Sequence, residues 1–327
     1  MHLTIITPSL NYGRFLGDCL ESVAVQLDPK ERRNPDACTS RLGKSREAQP
    51  GWPQGNVSAD AHVGTMRGAK HGSVTIHGQG EAESAPPCIT LEHLVIDGGS
   101  TDESAQVAAR FPHARWIQEP DEGMSDAINK GFDRAKGEWV MWLNADDRLK
   151  PGVLAAMLPL LEQSAADVVY GDWDFVDERG IFMRHVTAPK WSRFVHIHHH
   201  CFIGSTAAFY RRSTVIDGGH RLRKDFRYVM DGEFYARLDS AGMRFEQVPV
   251  TVADFRMHGG NLSQRHRGKD LDMERILAAE RQYIESRAIR RAYGVTLFEE
   301  PYLNGIVDGF LWLAAKGWKA VKKSLKA

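Results

Sequence analysis

Trp139-Val140-Met141-Trp142-Leu143-Asn144-Ala145-Asp146-Asp147 is an apolar run of strand length that stops at a polar tip with two adjacent acids. A run of bulky apolar side chains without polar alternation suits a strand buried on both faces, as in parallel sheets covered by helices. Ligands of open α/β sheets bind beyond the carboxyl ends of such strands, so the tip sits where chemistry would occur. Adjacent carboxylates repel, and a cation or a hydrogen-bond network relieves that repulsion. Oxygen ligands of this kind suit Mg²⁺ or Mn²⁺ shared with substrate phosphates. The alternative is that Asp146 and Asp147 only open the next helix, because Arg148-Leu149-Lys150-Pro151 reads as a turn with Pro near a helix start.

Working outward, Leu3 to Thr7 reads as a first buried strand, and Phe15, Leu16, Cys19, Leu20 and Val23 follow at helical spacing. The turn between them, Pro8-Ser9-Leu10-Asn11-Tyr12-Gly13, is neither a dinucleotide fingerprint nor a P-loop, which weighs against dehydrogenases and ATPases. From about 28 to 90, Gly, Pro, Ser, His and scattered charges dominate without sustained periodicity, the pattern of a flexible insertion. Its Cys38, Cys88, His62, His71 and His77 match no zinc spacing.

Strands at 91–96, 114–118 and 139–143 then alternate with helices reaching Ala109, from Ser125 to Ala135 and from Pro151 to Leu161. Such alternation predicts an α/β fold with a mainly parallel sheet flanked by helices. Beyond it lie a strand at 166–170, a hairpin at 173–182, a strand at 207–210 and a helix at 230–240. Two strands, 245–248 and 250–255, precede a long helix over 269–292. A final apolar stripe from Leu303 to Leu325 runs beside five lysines. It suits an anionic membrane interface, or equally packing on the domain or on a second subunit.

At 327 residues and 42% hydrophobic content the chain can build a large core. Basic and acidic residues balance at 42 each, so nothing in the overall charge points to nucleic acid. The N-terminus lacks a signal-like segment and no apolar run is long enough to span a bilayer, so a cytoplasmic protein is expected. Four cysteines do not make a disulfide framework, and Cys19 and Cys201 read as core thiols.

Three segments carry a resemblance: Leu94-Val95-Ile96-Asp97-Gly98-Gly99-Ser100-Thr101-Asp102, Glu119-Pro120-Asp121-Glu122-Gly123-Met124-Ser125-Asp126-Ala127-Ile128-Asn129-Lys130-Gly131, and Leu143-Asn144-Ala145-Asp146-Asp147. In this order and spacing they resemble the family 2 glycosyltransferases, inverting enzymes with the GT-A (Rossmann-like) fold, of the type found in bacterial surface polysaccharide biosynthesis, including lipopolysaccharide. The resemblance covers about 1–26 and 91–260. It implies a GT-A domain over 1–265, interrupted by the insertion, and a C-terminal helical extension over 266–327.

It also implies roles. Pro8, Ser9, Asn11 and Asp97 are expected to hold the uridine of a UDP-sugar, although Gly98 stands where the family often has a second acid. Asp102 reads as a helix cap. Asp126 and Asn129, three apart on one helix face, are expected near the donor sugar or ribose, with capping or solvation as the alternative. Asn144-Ala145-Asp146-Asp147 corresponds to the family's acid-any-acid metal motif, with Asn144 in place of the first acid. Asn144 and Asp146 are thus expected on the donor, and Asp146 and Asp147 as ligands of Mg²⁺ or Mn²⁺. Asp146 is the favoured ligand because it shares a strand face with Asn144. The cation would neutralise the departing diphosphate.

Within Val229-Met230-Asp231-Gly232-Glu233-Phe234, Asp231 is the expected catalytic base and Glu233 the second choice, with helix capping as the alternative for Asp231. His200, Gly204 and Ser205 are expected to face a glycan or lipid-linked acceptor, and His258 with Arg256 the diphosphate. The implied place is cytoplasmic, with peripheral contact at the inner face of the cell membrane through the last helix. Two rivals remain at this stage. A sugar-1-phosphate nucleotidyltransferase would need a Gly-rich basic loop after the first strand. A catalytically degenerate nucleotide- or glycan-binding protein draws support from Asn144 and Gly98.

Overall fold

The computed structural model describes residues 2–27, 90–198, 200–261 and 273–293, so the expectations for the insertion and for the stripe at 303–325 lie outside the described residues. Strands β1 (His2–Ser9), β2 (Thr90–Asp97), β3 (Ala114–Gln118) and β4 (Trp139–Trp142) match the expected strands, β3 being the half-exposed one at the sheet edge. They alternate with helices α1 (Gly13–Ala24), α2 (Ser104–Ala108) and α3 (Met124–Arg134). All four strands pair in parallel, with β1 between β2 and β4. Their carboxyl ends, and the loops after them, therefore share one edge.

Beyond β4 come β5 (Arg148–Leu149), α4 (Val153–Gln163), β6 (Val168–Val176), β7 (Phe182–Val186), α5 (Arg193–His198), β8 (Ala208–Arg211), α6 (Met230–Ser240), β9 (Phe245–Arg256) and α7 (Met273–Tyr293). Among the described residues the strands form one sheet in the order β3-β2-β1-β4-β8-β6-β9-β5, with β7 on β6. Its longest ladders are parallel, and β8 joins the halves by pairing antiparallel to both β4 and β6. No described helix is long and apolar enough to cross a membrane.

Two local expectations are corrected. The segment 245–256 is one strand, not two. Its pairing with β6 shifts register around Asp172, where a Cβ on Gly171 would collide with the Val250 carbonyl. A bulge thus absorbs Pro249, which has no N–H to give the ladder, without ending the strand. Arg148-Leu149 is not a turn but a short antiparallel partner of β9, fixed by Arg148 Nε to Asp254 Oδ2 at 2.7 Å.

The core is continuous across the join. Trp142 of β4 stacks on Tyr210 of β8 with ring centroids 5.0 Å apart and planes 7° from parallel. The Tyr210 hydroxyl meets that of Tyr235 on α6 at 2.9 Å. Burying side chains of this size contributes about 1.5–3 kcal/mol each. In the parallel half α3 lies hard against β1: a Cβ at Gly131 would stand 2.9 Å from Ile6 Cδ1. Only glycine permits that approach.

Candidate active site

At the shared edge, the β2 turn is built from its own side chains. Asp97 is fully buried, and its carboxylate accepts from Gly99 N (3.1 Å), Ser100 N (2.8 Å) and the Ser100 hydroxyl. Asn11, with φ 57° in the left-handed region that Asn tolerates, donates its N–H to Ser100 Oγ and accepts from Thr101 N at 2.8 Å. Asp102 accepts from Gly13 N (2.9 Å) and Ser104 N (3.0 Å), a capping role as expected. Desolvation pushes its carboxyl up, but the bonds from Ser104 and Gly13 outweigh this and hold it below the usual value.

A Cβ on Gly98 would lie 2.9 Å from Asp121 Cγ, so the Asp121 carboxylate fills the space a second acid in this turn would take. Sequence reading did not single out Asp121. The Asp-x-Gly turn, with Gly123 N bonded to Asp121 Oδ1 at 2.8 Å, was its signal.

On α3, Asn129 clamps Leu222, donating to its carbonyl and accepting from its N–H, both at 2.8 Å. Asp126 pairs with Lys130 (3.2 Å) and Lys224 (3.4 Å). These two residues therefore tie α3 to the segment leading into α6. Their polar groups are committed to protein partners.

The tip after β4 separates its two acids. Asp147 is buried, and its oxygens accept from Arg256 N and Asn144 Nδ2, both at 2.9 Å. Burial, and then Asp146 beside it, push its carboxyl well above the usual range. Asp146 Oδ2 accepts from His258 Nε2 at 2.9 Å and Asn261 Nδ2 at 3.2 Å, while Oδ1 has no hydrogen bond. Because His258 Nδ1 accepts from Gly260 N, the Nε2 proton is the one directed at Asp146.

Asn261 was missed in the sequence, though the Gly259-Gly260 pair before it marks the turn that brings it back. Arg256 is 3% exposed and acts as a strut, bonding the Asp146 carbonyl, the Glu178 carbonyl and Asp18. Three buried polar atoms at the ends of β1 and β4 have no partner: Ser9 Oγ, Trp142 Nε1 and Asn144 Oδ1.

Across the join, Asp231 lies in the first turn of α6. Its Oδ1 accepts from Gly232 N at 2.8 Å and its Oδ2 is unbonded. Burial raises its carboxyl above the ordinary 3.8. Glu233 is fully buried and held by Arg237 (2.9 Å) and the Tyr293 hydroxyl (2.8 Å), so it is committed to packing α6 against α7. Gly204 admits the Trp173 ring, 2.9 Å from where a Cβ would stand, and Ser205 begins a 3₁₀ turn. His200 is exposed. The structure thus brings Ser9, Asn144, Asp146 and His258 to one edge and sets Asp231 on the other half of the sheet.

A Rossmann-like sheet with strand-end polar atoms, joined to a mixed half, is the architecture of GT-A glycosyltransferases. Comparisons with known proteins agree. The Glycosyl transferase family 2 model matches residues 84–219. A PGL/p-HBAD biosynthesis glycosyltransferase of Mycobacterium tuberculosis is 32% identical over 185 residues, covering 53% of this chain and 68% of that protein. The uncharacterized glycosyltransferase YibD of Escherichia coli is 32% identical over 91 residues, 26% of each chain.

Among solved structures, S. aureus TarS 1-349 in complex with UDP-GlcNAc aligns with TM-score 0.53 at 14% identity, covering 96% of this chain and 79% of that one. The chain covers 46% of the longer TarS structure. The chain belongs to glycosyl transferase family 2 and is a glycosyltransferase.

Proposed function

We propose that the enzyme transfers the sugar of a nucleotide-sugar donor, a UDP-sugar, to a hydroxyl of a glycan or lipid-linked acceptor with inversion. The observation that carries this reading is the pair of unpartnered buried atoms, Ser9 Oγ and Asn144 Oδ1, at the ends of adjacent strands, beside the open oxygen of Asp146. Other buried polar atoms of the chain also lack partners, but these two lie where nucleotides bind in α/β sheets. TarS, which shares the fold, binds UDP and UDP-GlcNAc.

The reaction follows from the chemistry of the groups. The acceptor oxygen attacks the anomeric carbon, its proton passes to Asp231, and the bond to the diphosphate breaks with the electron pair leaving on phosphate oxygen. Desolvation makes Asp231 a stronger base than an ordinary carboxylate, and its Oδ2 is free to accept the proton.

The residues present fit a divalent cation. Asp146 offers an oxygen, and His258 and Asn261 stand beside it, while Asp147 braces the tip through Arg256. Only Asp146 Oδ1 is open, since both His258 nitrogens and the Asn261 amide are already bonded, so such an ion would be held mainly by phosphates and water. When bound, such an ion would supply positive charge to the leaving diphosphate. The role of peripheral membrane contact rests with the lysine-edged stripe at 303–325.

Screening nucleotide sugars for Mg²⁺- or Mn²⁺-dependent turnover tests the reading. Release of UDP from one UDP-sugar, lost on chelation, is expected. Turnover of a sugar 1-phosphate with a nucleoside triphosphate instead would overturn it.

A further inference from the structure

The matched family region ends at residue 219, before α6 and α7. Yet α7 touches the backbone on both sides of Asp231. Glu285, 3% exposed, accepts from Arg227 N (3.0 Å), Tyr228 N (2.8 Å) and Val229 N (3.3 Å). Four residues on, Ile289 is 8% exposed, and its Cδ1 lies 3.8 Å from where a Cβ on Gly232 would stand. Four further on, the Tyr293 hydroxyl donates to Glu233 and the Tyr293 carbonyl accepts from Arg193 at 2.7 Å. This i, i+4, i+8 spacing puts all three on one face of α7.

The first N–H groups of a helix have no partners within it, and the N-cap residue of α6, Val229, provides no side-chain bond. Glu285 instead bonds the N–H groups of the segment that leads into α6, up to the N-cap Val229, through charge-assisted bonds near the positive end of the α6 dipole. The Asp231 carboxylate is held only by local backbone N–H groups, chiefly that of Gly232. Its direction is therefore inherited from the backbone that α7 holds.

We infer that Glu285 is a positioning residue for transfer, holding the 227–229 backbone so that the Asp231 carboxylate faces the acceptor. This rests on Asp231 being the base. The C-terminal helix is then a working part of the acceptor half.

The test uses the full chain with Glu285→Ala and Glu285→Gln. Glu285→Ala is expected to speed hydrogen exchange at the amides of 227–229. It should lower kcat for the nucleotide sugar found in the screen by about tenfold to a hundredfold, the scale of a catalytic group displaced by an ångström. KM for that nucleotide sugar and the affinity for UDP should stay within about twofold, because the donor half is untouched. Glu285→Gln, whose amide oxygen still accepts without the charge, should recover part of both kcat and protection.

Unchanged exchange at 227–229 overturns the inference, and so does faster exchange with kcat intact. If Glu285→Ala loses UDP affinity as well, the effect is general, and a Glu285→Gln enzyme with the same uniform loss overturns the role. The underlying assignment fails separately: full turnover by Asp231→Asn removes the base, whereas lost turnover there beside intact kcat in Glu285→Ala removes only the positioning role.

Discussion

Along β1 to β3 the acids and amides bond mostly to backbone: Asp97 to its own turn, Asp102 to Gly13 and Ser104, Asn11 to Thr101, Asn129 to Leu222. On the far side of β8 the pattern differs. Asp231 carries an unbonded oxygen in a desolvated setting, and burial also raises the hydroxyls of Tyr210 and Tyr235 beyond their usual range. The parallel half fixes loops so that a ligand meets a preformed edge. The mixed half holds a group whose protonation is tuned.

Replacing Asp231 by Asn should break that contrast most severely, lowering kcat by about 10²–10⁴-fold, the usual contribution of a general base. UDP affinity, read by calorimetry, should not change. The pH profile gives the sign independently. Burial raises Asp231, so its basic form is lost as pH falls through a value above 3.8, and the acid limb of kcat should lie above an ordinary carboxylate's. Its contribution to stability runs the other way, full below the unfolded-state value and lost as pH rises through the folded one.

Next in size is Asp146→Asn, which keeps the tip's shape but removes its open charge. A fall of about a hundredfold in metal-dependent turnover is expected, since charge neutralisation of a leaving group amounts to several kcal/mol. Wild-type activity with unaltered Mg²⁺ or Mn²⁺ response would show that the tip is only a brace.

The parallel half is tested by stability rather than rate. Gly131→Ala forces a methyl group into Ile6 and should cost about 1–3 kcal/mol in urea denaturation, with little change in m. The smallest effect is expected for Asn11→Ala, which removes the acceptor for Thr101 N and leaves a non-glycine residue at φ 57°. About 1–2 kcal/mol is expected, with Asn11→Gly recovering the conformational part.

The sequence made some of this legible. Apolar runs marked β1, β2 and β4 because strands buried on both faces leave an uninterrupted hydrophobic signature. The polar tip after β4 was readable for the same reason, as the place where that signature stops. The separate duties of Asp146 and Asp147 were not, because Arg256 at the end of β9 and His258 just after it, which decide them, come more than a hundred residues later. Glu285 sits in an ordinary charged helical pattern, and only the folded chain brings it to the start of α6. Pro249 suggested a break between strands, and the bulge opposite Gly171 shows how the sheet tolerated it.

The ring stack from Trp142 through Tyr210 to Tyr235 has one more consequence. Trp142 belongs to the strand that ends at Asp146, and Tyr235 to the helix that starts near Asp231. The stack thus ties the strand that carries the Asp146 tip to the helix that carries Asp231 through rigid aromatic rings. Neither element can shift relative to the other without breaking ring contacts in the core.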